Sequence, residues 1–304
     1  KKPPRPKKHK APREEALPAE SKNPFPIVGI GASAGGLEAF EKFFSSMPED
    51  AGMAFILVQH LDSEHKSILA QLIGQYTAMT VTQVTDGEVI QPTHGSVIPP
   101  NRDLSILNRV LYLLEPDKPR GQRMTIDHLF RALAEDTKEN GIAVVLSGTG
   151  SDGAVGLRAI KEVNGMAMVQ EPTTAKFDGM PVCAVNTGLV DYILPPEEMP
   201  KKLISFVSRQ GIALPVEKNK LAVGVRENIQ KILILLRTKV RHDFSQYKEN
   251  TVIRRVERRM AVNQIKSLES YLHFLQKNRD EVTILFKELL IGVSNFFRDP
   301  DAFE

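Results

Sequence analysis

PIVGIGASAGG, residues 26–36, decides the fold: an apolar run breaks into a glycine-rich turn, and an amphipathic stretch, LEAFEKFFSSM (37–47), follows at once. A short continuous apolar run bounded by glycine is how a strand buried on both faces reads. MAFILVQH (53–60), IAVVLSG (142–148) and GMAMVQE (165–171) read the same way, while SEHKSILAQLIGQY (63–76), TIDHLFRALAEDTKEN (125–140) and AVGLRAIKEV (154–163) have helical spacing. Thr125 suits the N-cap of the second of these helices, and Gly141 lies just past its end. Strands alternating with helices predict an α/β fold, a doubly wound, mainly parallel sheet with helices on both faces. VTQVTDGEVIQPTHGSVIPP (81–100) and LSILNRVLYLL (104–114) break this rhythm and predict antiparallel hairpins extending one edge of the sheet.

On either side of this block the composition changes. Residues 1–24 mix Lys, Pro and Glu with almost no large apolar side chains, so they form a basic, Pro-rich tail that cannot offset its ordering entropy and is expected to be disordered. Residues 25–210 form the α/β domain, IALPVEKNK within 211–220 is a linker, and 221–304 is helical throughout. LAVGVRENIQKILILLRTKV, YKENTVIRRVERRMAV, SLESYLHFLQKN and DEVTILFKELLIGV carry apolar residues at helical spacing, which predicts a small all-α domain.

The chain has 304 residues, a net charge of +3, one cysteine and no tryptophan. The near-balanced charge gives no case for nucleic acid as the main partner. A single cysteine excludes an internal disulfide framework and fits a reducing compartment. No apolar run reaches the roughly 18 residues that span a bilayer, and the start has no signal-peptide core, so a cytoplasmic protein without membrane insertion is expected. The chain opens on Lys and closes directly after a motif, which predicts a piece of a longer protein.

Three strand ends carry candidate chemistry. Gly29-x-Gly31-x-x-Ala34 approximates the dinucleotide fingerprint, whereas Gly31-x-Ser33-x-Gly35 matches a nucleophile elbow, in which a sharp turn lifts a serine hydroxyl above the sheet. The second strand ends in Gln59-His60 rather than in the acid a dinucleotide site uses for ribose. His60 is either an edge histidine or a base. The third strand leads into Gly148-Thr149-Gly150-Ser151-Asp152-Gly153, where Asp152 is either a helix N-cap or the third member of a set. Serine, histidine and carboxylate together activate an alcohol nucleophile, and their order along the chain does not matter.

IVGIGASAGG, ILVQH and VVLSGTGSDG, in this order, resemble the catalytic domain of the chemotaxis protein-glutamate methylesterase family (CheB). The resemblance implies hydrolysis of γ-glutamyl methyl esters on chemoreceptors with release of methanol, together with deamidation of receptor glutamines. It implies Ser33 as nucleophile, His60 as base and Asp152 as the orienting acid. Backbone N–H groups near Ala34 and at Thr149 and Gly150 would stabilise the oxyanion. Ala34 stands where the family commonly has Thr, and Thr149 where it commonly has Met. The family's receiver domain is not expected within the residues before Phe25. The alternative is an esterase-like module of weak catalysis that docks on a chemosensory partner.

RHDFSQYKENTVIRRVERRM and LLIGVSNFFRDP resemble the N-terminal helical domain of the chemotaxis receptor methyltransferase (CheR), so the chain reads as the front part of a CheB–CheR fusion. By that resemblance Ser294 and Arg298 would touch S-adenosylmethionine. The methyltransferase catalytic domain is not expected within these residues, nor is methyl transfer; the esterase itself needs no cofactor. Arg254, Arg255, Arg258 and Arg259 recur at spacings of three and four as a basic helical face, either solvated or facing an acidic partner. No histidine pair has zinc-site spacing, and no metal is expected. His128 reads as a packing or helix-surface residue, Cys183 as a buried inert thiol, and Lys176–Pro181 as a turn.

Overall fold

The computed structural model describes residues 25–59, 68–116, 118–119, 122–210, 216–217, 220–221, 223–242, 244 and 247–291. In chain order the elements are β1 (Ile27–Ala32), α1 (Gly36–Ser45), β2 (Ala54–Gln59), α2 (Leu69–Ile73), β3 (Thr80–Gln83), β4 (Glu88–Val89), β5 (His94–Val97), β6 (Asp103–Leu107), β7 (Val110–Leu114), α3 (Thr125–Thr137), β8 (Gly141–Val145), α4 (Gly156–Glu162), β9 (Met166–Gln170), α5 (Gly179–Asn186), β10 (Tyr192–Leu194) and α6 (Met199–Gln210). A short hairpin, β11 (Val216–Glu217) with β12 (Lys220–Leu221), leads into α7 (Val223–Val240), α8 (Glu249–Val262), α9 (Leu268–Lys277) and α10 (Arg279–Ile291). The stretch read as a plain linker thus contains paired strands.

Seven strands form a parallel sheet in the order β10-β9-β8-β1-β2-β5-β3. Its side chains alternate between two cores because successive strand residues point to opposite faces. Ile27, Ile56, Val58, Ala143, Val145, Ala167 and Val169 pack beneath α3, α4 and α5. Val28, Ile30, Phe55, Leu57, Ile142, Val144, Met166 and Met168 face the other way, toward α1, α2 and α6. On α1, Ala39, Phe40, Phe43 and Phe44 form the buried stripe, with Phe44 edge-on to Phe55 at 5.6 Å between ring centres.

The edge region differs from its sequence expectation. β3 and β5 join the main sheet as parallel strands, because residues 84–93 carry the chain back to the starting end. The antiparallel hairpin β6–β7 exists, but it forms a separate three-stranded sheet with β4 that packs over α3. Gly179–Pro181, read as part of a turn, is the first turn of α5.

α7 to α10 enclose a core of their own around Ile232, Leu236, Val256, Tyr271 and Leu285. The arginine-rich face of α8 overturns its expectation. Arg255, Arg258 and Arg259 are only 3%, 5% and 3% exposed and face the α/β sheet; Arg254 alone of the four faces solvent. Arg255 donates to the carbonyls of Lys161 and Glu162, and Arg258 to those of Asn164 and Gly165, at 2.9 Å for the last. The carbonyls of Lys161 and Glu162 belong to the last turn of α4 and those of Asn164 and Gly165 to the segment between α4 and β9. Around them Lys161, Arg258 and Arg259 interlock with Asp191, Glu281 and Glu288. Burial pushes the Arg255 guanidinium down to about 10, still charged at neutral pH. Asn164, Gly165 and Asp191 precede β9 and β10, so this contact lies at the amino ends of the strands, opposite Ser33. No helix among the described residues is long and apolar enough to cross a membrane.

Candidate active site

β8, β1 and β2 are adjacent in the sheet, and each ends in one of the three motifs. The ladder between β1 and β8 continues past both strands: the Leu146 N–H donates to Gly31 O and the Ser33 N–H to Ser147 O, each at 2.9 Å. Ser33 therefore leaves the sheet with its backbone still tied to the third motif. Its carbonyl accepts the Gly36 N–H at 2.9 Å and the Gln59 Nε2 amide at 3.4 Å, which closes the turn. The turn depends on Gly35, whose φ of 73° is left-handed and which α1 uses as its N-cap. The Ser33 side chain is half-buried at the sheet's carboxyl edge.

Gly148 packs directly against this elbow. A Cβ added there would lie 2.9 Å from Ser33 Cβ and 2.2 Å from the sulfur of the fully buried Met180. Gly148→Ala is expected to destabilise the fold by about 1–3 kcal/mol, as overpacking does, and to displace the Ser33 turn. Thermal melting and the rate at which a fluorophosphonate labels Ser33 check both effects; unchanged values would refute the close packing.

Asp152 is 4% exposed. Its carboxylate accepts the N–H groups of Ile126 at 3.0 Å, Asp127 at 2.9 Å and its own neighbour Gly153 at 2.8 Å. It caps α3, to which it bonds directly, rather than α4, which follows it in the chain. Thr125 is the first residue of α3 and not its cap. Such bonds fix the orientation of the carboxylate.

A polar hub that the sequence reading passed over braces the site from below. Ser147 donates its hydroxyl to Ala34 O at 2.9 Å and accepts the Phe177 N–H at 3.1 Å. Its backbone N–H donates to Gln170 Oε1 at 2.8 Å, and Gln170 Nε2 donates to Thr174 O at 3.1 Å. The Gly148 N–H is committed to Phe177 O at 3.0 Å, while Gly148 O accepts the Met180 N–H at 2.8 Å. Thr149 and Gly150, the next two residues, are exposed. The signal for this hub was available: Ser147 and Gln170 are polar residues at the ends of buried parallel strands, where such sheets place functional groups.

His60, like His65, lies outside the described residues, as do residues 1–24, Ser294 and Arg298. His128 is half-buried on α3, and Cys183 is half-buried on α5 rather than sealed in the core. No group of three or more His, Cys, Asp or Glu side chains among the described residues could hold a metal ion.

Residues 28–203 match the family model of the CheB methylesterase, and residues 227–290 match that of the CheR methyltransferase all-alpha domain. The solved catalytic domain of Thermotoga maritima CheB methylesterase superposes with a TM-score of 0.57 and 28% identity, covering 60% of this chain and 98% of that one. A protein-glutamate methylesterase/protein-glutamine glutaminase of Rhizobium meliloti is 31% identical over 190 residues, which is 62% of this chain and 54% of the relative. An uncharacterised 104.1 kDa protein of Rhodobacter capsulatus is 34% identical over 255 residues, 77% of this chain and 27% of that protein. The chain thus spans about half the length of the methylesterases it matches and a smaller part of the longer relative.

Proposed function

Because the chain belongs to the CheB methylesterase family, we propose that it is a serine esterase that removes methyl groups from glutamyl methyl esters of chemoreceptors. The supporting observation is the adjacency of β8, β1 and β2, which end in the Asp152 turn, Ser33 and the residue before His60. In this reading Ser33 Oγ attacks the ester carbonyl while His60 takes its proton. Asp152 orients the imidazole and stabilises the imidazolium. The tetrahedral oxyanion is met by backbone N–H groups at Ala34, Thr149 and Gly150. His60 returns the proton to the departing methanol, and water then hydrolyses the glutamyl–Ser33 ester to carboxylate and free serine. Receptor glutamines fit the same chemistry, with ammonia as the leaving group.

Donors of this kind act from the backbone, so neither Ala34 nor Thr149 removes the proposed machinery although both depart from the family's usual residues. Nucleophile, base, acid and oxyanion donors are all groups of the chain, and the reaction needs no cofactor. Chemoreceptor helices are the proposed partners, met in the cytoplasm.

The test is methanol release from methyl-esterified receptor membranes, comparing this chain with its Ser33→Ala variant. Release that disappears in the variant supports the esterase. No release from either, with receptor retained in a pull-down, would replace it with a docking module of weak catalysis.

A further inference from the structure

Two carboxylates are crossed at the start of α3 and α4. Asp152, in the turn before α4, accepts the first N–H groups of α3; Asp127, in the first turn of α3, accepts the Gly156 N–H that opens α4, at 2.6 Å. Each helix is thereby capped by a residue belonging to the other's start. Space is as tight as the hydrogen bonding. A Cβ at Gly156 would lie 2.9 Å from Asp127 Cα and 2.8 Å from Phe130 Cβ, so the opening of α4 sits directly on α3.

Asp127 is 2% exposed. Burial, followed by the nearby negative charge of Asp152, pushes its carboxyl above the usual range, while the Gly156 N–H and Arg131 oppose that rise. A second buried carboxylate beside the first is costly unless its hydrogen bonds are made, and here the Gly156 N–H makes one. Residues 152–155 form the turn that leads into Gly156. The far end of that turn is pinned by the Asp127 carboxylate and the near end by the Ile126 and Asp127 N–H groups on Asp152.

We propose that Asp127 is a positioning residue of the esterase: through the Gly156 N–H it holds the 152–155 turn so that the Asp152 carboxylate stays aimed at the catalytic base. This rests on Asp152 serving the triad as proposed above. It acts only through Asp152 and touches no substrate. A misplacement of about 1 Å at such a distance from the chemistry costs on the order of 10²-fold in rate.

The experiment compares Asp127→Ala and Asp127→Asn with the unaltered chain and with Ser33→Ala. It measures methanol release, the rate of Ser33 labelling by a fluorophosphonate, and thermal melting. Asp127→Ala is expected to lower kcat and the labelling rate by roughly 10- to 100-fold with KM unchanged. Asp127→Asn keeps an acceptor for Gly156 and removes the repulsion with Asp152, so it should stay within about threefold in rate with its melting temperature undiminished. Asp127→Ser, one bond too short to reach Gly156, must show the same kcat loss and serves if the alanine variant does not fold. Folded Asp127→Ala or Asp127→Ser with kcat and labelling intact would overturn the proposal, leaving Asp127 a purely structural cap. Failure of the esterase reading looks different: the unaltered chain releases no methanol. The positioning role then stands if Ser33 labelling still depends on Asp127, and falls if Ser33 is not labelled at all.

Discussion

Replacing Ser33 with alanine is expected to remove methanol release almost entirely, because no other step can begin without the attacking hydroxyl. Single losses of nucleophile or base in a serine triad cost on the order of 10⁶-fold in turnover. A Ser33→Ala/His60→Ala double variant should be no slower than either single one, since the two act as a unit. Asp152→Asn keeps the shape of the side chain and should cost less, about 10⁴-fold, by disturbing the imidazole's tautomer. The Ser33 backbone bonds to Ser147 and Gly36 involve no side-chain atom, so Ser33→Ala should fold and melt as the parent does. Near-normal turnover in Ser33→Ala, or additive losses in the double variant, would refute the assignment of nucleophile and base.

The second large effect falls on stability. Glu288→Ala is expected to destabilise the chain by about 3–5 kcal/mol, the cost of leaving buried cations without their partner. Glu288 Oε1 accepts from Lys161 Nζ at 2.9 Å and from Arg258 Nη1 at 2.6 Å, and all three side chains are at most 3% exposed. Asp191 cannot replace it, because its two oxygens already serve Lys161 at 2.7 Å and Arg258. For a chain of this size the melting temperature should fall by on the order of 10 °C. Arg226→Ala, at the exposed pair with Glu249, is the control and should leave the melting temperature unchanged. Replacing the buried charges together with apolar residues of similar volume should be far milder than any single loss.

The same cluster sets an acid limit. Burial opposes ionisation of Glu288 and Asp191, yet Arg258, Lys161 and Arg259 overcome it and hold both carboxyls below their ordinary range. Depressed carboxyls stabilise the fold above the unfolded value, about 4, and that contribution fades as pH falls toward the folded values. Melting temperature should therefore decline below about pH 4.5 in the parent and decline less steeply in Glu288→Ala. Parallel acid limbs in the two proteins would refute the cluster's contribution.

Strand runs such as IAVVLSG were legible because a strand buried on both faces needs apolar residues at every position, whatever it packs against. The parallel placement of β3 and β5 was not, since 81–100 carries the turn residues of a hairpin and register depends on a partner strand distant in the chain. Asp152 was legible as a carboxylate at a strand end, but its capping of α3 was not, because Ile126 and Asp127 precede it by 26 and 25 residues. Local reading would assign its cap to the helix that follows.

From the sequence alone came the strand–turn–helix order, the Ser33 elbow with its glycines, and the resemblance that links the three motifs, all properties of contiguous residues. Tertiary structure alone decided what the charged side chains of α8 do. Arg255, Arg258 and Arg259 at helical spacing look the same whether they face water or an acidic partner. Among their partners, Asp191 and the carbonyls at 161–165 lie some 60 to 100 residues earlier in the chain, and Glu281 and Glu288 lie 22 to 30 residues later on another helix. The pairing of Asp127 with Asp152 has the same origin: a carboxylate's partner is set by distance in space, and periodicity carries no record of it.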